Sequence, residues 1–158
     1  MRALRQSTGQ AAGSRVVAMT SSSGFTLIEV MIAIVVVAIL MAVALPAYQE
    51  SIQKGRRSDA MSALMDAANR QEQYFLDYRT YTADMEDLGF GDDPMESEEG
   101  HYTVDAAACG GGSLATCYEL TATPVATSPQ ADDLRCTSFT LTSAGVKTAT
   151  GTAANQCW

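Results

Sequence analysis

Hydrophobic residues are distributed unevenly along the chain. Residues 25–45, 21 in all, are almost wholly hydrophobic and contain one charged residue, Glu29. At a rise of about 1.5 Å per residue, such a helix matches a hydrocarbon layer about 30 Å thick. The stretch therefore predicts a membrane-spanning helix. A secretory signal peptide is the alternative, but the run is longer than a signal core, no basic residue directly precedes it, and no A-x-A site closes it.

A different pattern follows Pro46, which removes one helical hydrogen bond and predicts a kink. Apolar residues now recur every three or four positions, as in an amphipathic helix with one buried face. We therefore expect a helix over residues 47–80, continuous with the membrane segment. The predicted buried positions are Tyr48, Ile52, Met61, Leu64, Met65, Ala68, Phe75 and Tyr78, and polar residues such as Gln53, Lys54, Arg57, Asp59, Asp66, Arg70 and Asp77 fill the other positions.

The rest of the chain predicts a small sheet. Residues 81–100 are an acidic linker with Gly89, Gly91 and Pro94. Four later segments, 101–108, 118–126, 137–142 and 146–150, alternate in polarity or are rich in strand-forming residues, with glycine-containing turns at residues 110–112 and 144–145. The predicted fold class is α+β, a long N-terminal helix packed on an antiparallel sheet. The C-terminal domain would cover residues 47–158, with the sheet in residues 101–158.

Four cysteines in the last third of the chain predict disulfides. An even number in a small domain beyond a membrane segment is typical of an oxidising compartment. Cys109 and Cys117 flank a glycine-rich turn between predicted strands, which predicts that they pair and that Cys136 pairs with Cys157. Zinc is the alternative, but there is no C-x-x-C pair and the single histidine is His101. We expect no metal and no cofactor.

The charge distribution disfavours nucleic acid as a partner. Residues 1–24 are polar, contain three arginines and no acidic residue, and are typical of a leader; Met1 and Met19 are alternative starts. The net charge is -8, and without the leader 7 basic and 18 acidic residues leave -11. A protein with this much negative charge repels the phosphate backbone of nucleic acids.

The sequence disfavours two other kinds of site, a calcium site and a catalytic site. The acidic residues of the linker resemble a calcium site in composition only, because they lack the D-x-D-x-D-G spacing, and a solvated loop is the favoured interpretation. These residues are Asp84, Asp87, Asp92, Asp93, Glu96, Glu98 and Glu99. No catalytic pattern is visible, since His101 is alone and no G-x-S-x-G motif occurs, so we expect no enzyme.

The stretch GFTLIEV, residues 24–30, followed by the apolar run and Pro46, resembles the start of type IV pilins. The resemblance implies that a membrane-embedded prepilin peptidase cleaves between Gly24 and Phe25 and then N-methylates Phe25. It implies that residues 25–46 form a transmembrane and assembly helix that contacts other pilin subunits. It also implies that Glu29 pairs with the charged N-terminus of a neighbouring Phe25 during filament assembly.

The likeness extends to the C-terminal domain, where YELTATP at residues 118–124, then Cys136, Leu141, Gly145 and the Cys157-Trp158 pair, resembles PilE-type minor pilins. This implies a prepilin in the bacterial inner membrane with its domain outside the cytoplasm, handled by the pilus assembly machinery and then carried in an extracellular filament. The sequence departs from the family in having serines, not Lys or Arg, directly before Gly24. The positive-inside count is a tie, so the orientation depends on the cysteines and the resemblance.

The resemblance leaves three roles for such a chain. A structural subunit of a type IV pilus, active in pilus biogenesis, adhesion or twitching motility, is the leading hypothesis. A DNA-uptake receptor of the same fold would need a basic, aromatic-lined patch, which the acidic composition disfavours. A type II secretion pseudopilin is the third, and the C-terminal cysteines favour a pilin over it.

Overall fold

The computed structural model describes residues 24–158, so the predicted leader, apart from Gly24, lies outside the described residues. One helix, α1, spans Leu27–Tyr78 and continues through Pro46. Proline lacks the N–H that would bond to the carbonyl of Ala42, but the rest of the helical ladder is retained. The chain divides into two units, Met1–Leu40 and Met41–Trp158, and the second is called the globular unit below.

The globular unit contains a five-stranded antiparallel sheet. The strands are β1 (Met95–Glu96), β2 (Tyr102–Ala108), β3 (Tyr118–Pro124), β4 (Ser138–Thr142) and β5 (Lys147–Thr150). They lie side by side in chain order, so that β1 and β5 form the two edges. Short 3₁₀ helices occupy Pro129–Asp132 and Ala154–Gln156. The predicted α+β fold, a long helix with a small antiparallel sheet, is confirmed.

The core lies between one face of α1 and one face of the sheet. The helix contributes Ala60, Ala63, Leu64 and Ala67, which recur at intervals of three and four residues. The sheet contributes alternate residues of each strand, because successive side chains point to opposite faces. These are Tyr102, Val104 and Ala106 on β2, Tyr118, Leu120 and Ala122 on β3, and Phe139 and Leu141 on β4.

The predicted buried face of α1 was wrong in part. Tyr48, Met65 and Tyr78 are 66%, 46% and 64% exposed, whereas Leu64 is buried as expected. Three alanines form most of the buried stripe instead, and these small side chains let the sheet approach the helix. Arg57, Asp59 and Gln71 are also buried on α1, because each has polar partners in the globular unit.

The strands begin and end within two residues of the predicted positions, except β1. That strand lies in the segment predicted as an acidic linker, where Met95 pairs with Val104 and Glu96 with Thr103. Two residues are too short to produce a visible alternation, so the sequence pattern does not reveal this strand.

Candidate functional site

The start of the described chain is exposed. Gly24, Phe25 and Thr26 precede α1 without regular secondary structure, and Phe25 is 82% exposed. A Cβ atom placed on Gly24 would meet no atom within 4 Å. Gly24 and Phe25, between which cleavage is predicted, are therefore both exposed in the described part of the chain.

Thr26 caps the N-terminus of α1. Its side-chain oxygen accepts a hydrogen bond from the Glu29 N–H at 3.3 Å, and its carbonyl accepts from the N–H groups of Glu29 and Val30. The Thr-x-x-Glu spacing is that of a capping box, and it places the Glu29 carboxylate at the positive end of the helix. The sequence analysis did not identify Thr26, although this spacing was the signal for it.

The first half of α1 presents apolar side chains outward. Its most hydrophobic stretch has a mean hydropathy of 3.0 and no buried residue, and the helix is long and apolar enough to cross a membrane. Within residues 24–158, the Glu29 carboxylate makes no ion pair. An apolar surface of this extent is expected to contact lipid or other apolar helices.

Two disulfides close loops in the globular unit. Cys109 and Cys117 follow β2 and precede β3, and their Cα atoms are 5.7 Å apart. Cys136 and Cys157 are joined with Cα atoms 5.8 Å apart, and both are buried. These are the two pairs that the sequence predicts. The second disulfide ties the end of the chain to the start of β4.

A buried ion pair joins α1 to the segment between β3 and β4. The Nε and Nη2 atoms of Arg57 donate to the Asp133 carboxylate at 2.7 and 2.9 Å, and Gln130 donates to it at 2.8 Å. The hydrogen bond that Arg57 donates to Asp133 raises the pKa of Arg57 above its ordinary value, so the guanidinium is charged. No local sequence pattern indicates this pair, because its members are 76 residues apart.

The basic residues of the globular unit are few and scattered. Arg57 is buried, Arg70 lies 3.3 Å from Asp66 and stacks over Phe90, and Arg135 pairs with Glu50. The other basic residues of this unit, none with an ion pair inside residues 24–158, are Lys54, Arg56, Arg79 and Lys147. In the described ranges, no group of three or more His, Cys, Asp or Glu side chains is arranged to hold a metal ion.

Comparison with known families decides the class of protein. Residues 46–140, more than half of the chain, match the family described as "Type IV minor pilin ComP, DNA uptake sequence receptor". The chain belongs to the type IV pilin family. In this pilin, residues 19–45 also match the prokaryotic N-terminal methylation motif, which covers Gly24, Phe25 and Glu29.

Individual relatives are pilins too. The fimbrial protein of Moraxella nonliquefaciens is 39% identical over 101 residues, 58% of this chain and 65% of that protein. The type IV major pilin protein PilE1 of Neisseria gonorrhoeae is 33% identical over 97 residues, 61% of this chain and 58% of its own length. The pilin thus spans less than two thirds of these relatives. A type IV pilin structure from Shewanella oneidensis has a TM-score of 0.45 at 23% identity, covering 67% of this chain and 97% of its own.

Proposed function

We propose that this pilin is a structural subunit of a type IV pilus, made as a membrane-anchored prepilin and assembled into an extracellular filament. One observation carries the proposal. A single chain joins an exposed, membrane-length apolar helix, whose first turn holds Glu29, to a disulfide-bonded globular unit of the pilin family. The role is structural, and its partners are other pilin subunits, the prepilin peptidase and the inner-membrane assembly machinery.

Processing is the first step of this proposal. The peptidase cleaves the exposed Gly24–Phe25 peptide, removes residues 1–24 and methylates the new amine of Phe25. The methylation motif over residues 19–45 supports this step. Mass spectrometry of the protein from membranes and from sheared pili tests it. A methylated N-terminus at Phe25 is expected, and an intact leader or a cut elsewhere would reject processing at this site.

Assembly depends in this proposal on Glu29. An incoming subunit brings a charged Phe25 amine into an apolar environment, and a neighbour's Glu29 carboxylate compensates it. A paired carboxylate and ammonium are much less costly at low dielectric than either ion alone. Glu29 precedes the globular unit in the chain. Its substitution should therefore affect assembly and leave folding intact.

The test compares the amount of the protein in the membrane with the amount in sheared pili. Glu29→Ala makes the helix more apolar, so membrane insertion and processing should persist while incorporation into sheared pili falls. Glu29→Asp is the matched control, because it retains a carboxylate. Normal amounts of Glu29→Ala in pili would reject the pairing role. If the Glu29→Ala variant were lost from the membrane as well as from pili, the result would show that Glu29 acts in membrane insertion or in protein stability.

DNA uptake is the second candidate, favoured by the description of the matching family. The charges of the globular unit argue against a DNA-binding role, because three of its basic residues already form ion pairs with carboxylates. These residues are Arg57, Arg70 and Arg135. Sheared pili from strains with and without the protein, incubated with duplex DNA over a salt series, distinguish the two roles. DNA binding that depends on the protein and weakens steeply with salt would establish the receptor role. We expect no such difference.

A further inference from the structure

The apolar run of α1 ends inside the globular unit. Met41, Val43 and Leu45 are all exposed, and the side chains become polar from Gln49 on. At about 1.5 Å per residue, α1 rises about 7 Å between Leu45 and Glu50. The headgroup layer on one side of a bilayer is about 5–7 Å deep. A membrane that covers the apolar run therefore has the outer limit of its headgroups near Glu50.

The segment between β3 and β4 reaches this level of α1. Gln130 donates to the Gln53 carbonyl at 3.4 Å, and Arg135 pairs with Glu50. Leu134, directly before Arg135, is 69% exposed. The globular unit thus presents an exposed apolar side chain in the segment that packs on the first turns of α1 after Pro46.

Two basic residues of the same turns carry free charges. Lys54 is exposed and Arg56 is half-buried, and neither forms an ion pair within residues 24–158. Arg56 lines a groove of about 340 Å³ between α1 and the 3₁₀ helix Pro129–Asp132. The other lining residues are Gln49, Ile52, Gln53, Pro129 and Asp132, of which Asp132 is the one acidic residue. Two free cations thus face one free carboxylate at this end of the unit.

The geometry of α1 brings these cations within electrostatic range of a membrane surface. The Cα atoms of Lys54 and Arg56 lie about 13 and 16 Å beyond Leu45 along the helix, which is about 6–9 Å outside the headgroups. Long helical side chains lean toward the helix N-terminus, here the membrane side. The remaining gap is within about one Debye length, which is about 8 Å at physiological salt. The exposed Tyr48 lies lower, at headgroup depth, where tyrosines are enriched.

We infer that the globular unit docks on anionic phospholipid headgroups of the membrane that holds α1. The docking residues, called the membrane-side surface below, are Tyr48, Lys54, Arg56 and Leu134. Charge complementarity and continuity with the membrane-length helix identify the occupant, because the tyrosine and leucine suit the interface and the cations suit lipid phosphates. Residues 59–158 contain 16 acidic and 4 basic residues, so most of the unit is repelled by the same lipids. This inference rests on the proposed function and adds where the globular unit lies before assembly.

Fluorescence quenching tests the docking in the full-length protein. A fluorescent amino acid replaces Leu134, and the protein is inserted into vesicles of phosphatidylglycerol and phosphatidylcholine at a ratio of about 1:2, or of phosphatidylcholine alone. Both vesicles contain a little phosphatidylcholine with a nitroxide on its headgroup. The label should be quenched more in the vesicles with phosphatidylglycerol. The excess should vanish at about 1 M salt, where the Debye length is about 3 Å.

Charge variants show whether the membrane-side surface causes the quenching. Lys54→Gln and Arg56→Gln should each lower the ratio of docked to undocked protein about five-fold. Asp132→Asn removes the carboxylate that lines the groove, so it should raise the ratio. Arg79→Gln is the matched control: it removes the same charge just beyond the end of α1 and should change nothing.

Three results would overturn the inference. They are equal quenching in the two kinds of vesicle, charge variants at positions 54 and 56 that leave quenching unchanged, and a loss for Arg79→Gln as large as that for Lys54→Gln. A label at position 77, about 48 Å beyond Leu45 along the helix, should stay unquenched in both vesicles. Alkaline extraction of the wild-type protein from the vesicles would instead reject the membrane anchoring of the proposed function.

Crosslinking in cells keeps the inference testable if a charge variant does not fold. A photo-reactive amino acid at position 134 should link to phospholipid in the membrane fraction and give no such product in sheared pili. The same amino acid at position 77 should link to no lipid in either fraction. Absence of a lipid product at position 134 in the membrane, or a product there with a protein alone, would overturn lipid as the occupant.

Discussion

Substituting Asp133 with alanine removes the centre of a buried polar network in the globular unit. Asp133 is 1% exposed, and its carboxylate accepts hydrogen bonds from Arg57 at 2.7 and 2.9 Å and from Gln130 at 2.8 Å. It also accepts from the backbone N–H groups of Arg135 and Cys136 at 3.2 and 3.4 Å. The variant leaves all of these donors without their acceptor.

The expected loss is large because Arg57 is 5% exposed and stays charged. Removing one partner of a buried ion pair costs about 3–5 kcal/mol, since the remaining charge is uncompensated. In a domain of this size, each kcal/mol lowers the melting temperature by about 4 °C or more. Asp133→Ala should therefore lower the melting temperature of the globular unit by at least about 12 °C.

Thermal unfolding of the purified full-length protein in detergent, followed by circular dichroism, measures the effect. Glu50→Ala is the control, because it removes the partner of Arg135 in an exposed pair worth about 1 kcal/mol or less. Arg57→Met combined with Asp133→Leu removes both buried charges and should regain most of the stability. A loss for Asp133→Ala no larger than for Glu50→Ala would refute the reasoning, as would a double variant as unstable as the single.

Three further predictions concern the stability of the same unit. Cys157→Ser opens a loop with a sequence separation of 21 and should cost about 3 kcal/mol, more than the roughly 2.5 kcal/mol for Cys117→Ser and its loop of 8, measured by denaturant unfolding. Gly151→Ala should destabilise by about 1–3 kcal/mol in the same assay, because φ is 123° and the new Cβ would overlap the Arg135 carbonyl. Burial raises the pKa of Tyr102 to about 12, so its contribution to stability is complete below pH 10 and lost between about pH 10 and 12. Absorbance at 295 nm should show this tyrosine titrating late, and ionisation near pH 10 in the folded protein would contradict the burial argument.

The features that the sequence predicted well are those with local causes. The first half of α1 is an apolar run because the hydrocarbon core of a membrane tolerates few polar groups. Composition alone therefore identifies this segment. Strands β2 to β5 alternate in polarity or are rich in strand-forming residues, and glycine-containing turns separate β2 from β3 and β4 from β5. All four strands lie within two residues of the predicted positions. Cys109 and Cys117 flank a single turn, which leaves little choice of partner.

The features that the sequence analysis missed depend on residues far apart in the chain. Arg57 and Asp59 were placed among the polar positions of α1, yet both are buried. Their partners, Asp133 and Ser97, lie 76 and 38 residues away, and only the folded chain brings them together. The buried stripe of α1 consists mainly of alanines, which a search for large apolar residues overlooks.

The net charge of residues 25–158 sets a physical condition on any filament that they form. Without residues 1–24, each subunit carries a net charge of -11, from 7 basic and 18 acidic residues, and equal charges packed side by side repel. At physiological salt, screening limits this repulsion to about 8 Å, so the groups that directly touch decide whether two globular units attract. An acidic surface then meets the least repulsion where the other copy has the fewest carboxylates. Residues 134–158 contain Arg135 and Lys147 and no acidic residue, and they include β5, which lies at the edge of the sheet opposite β1.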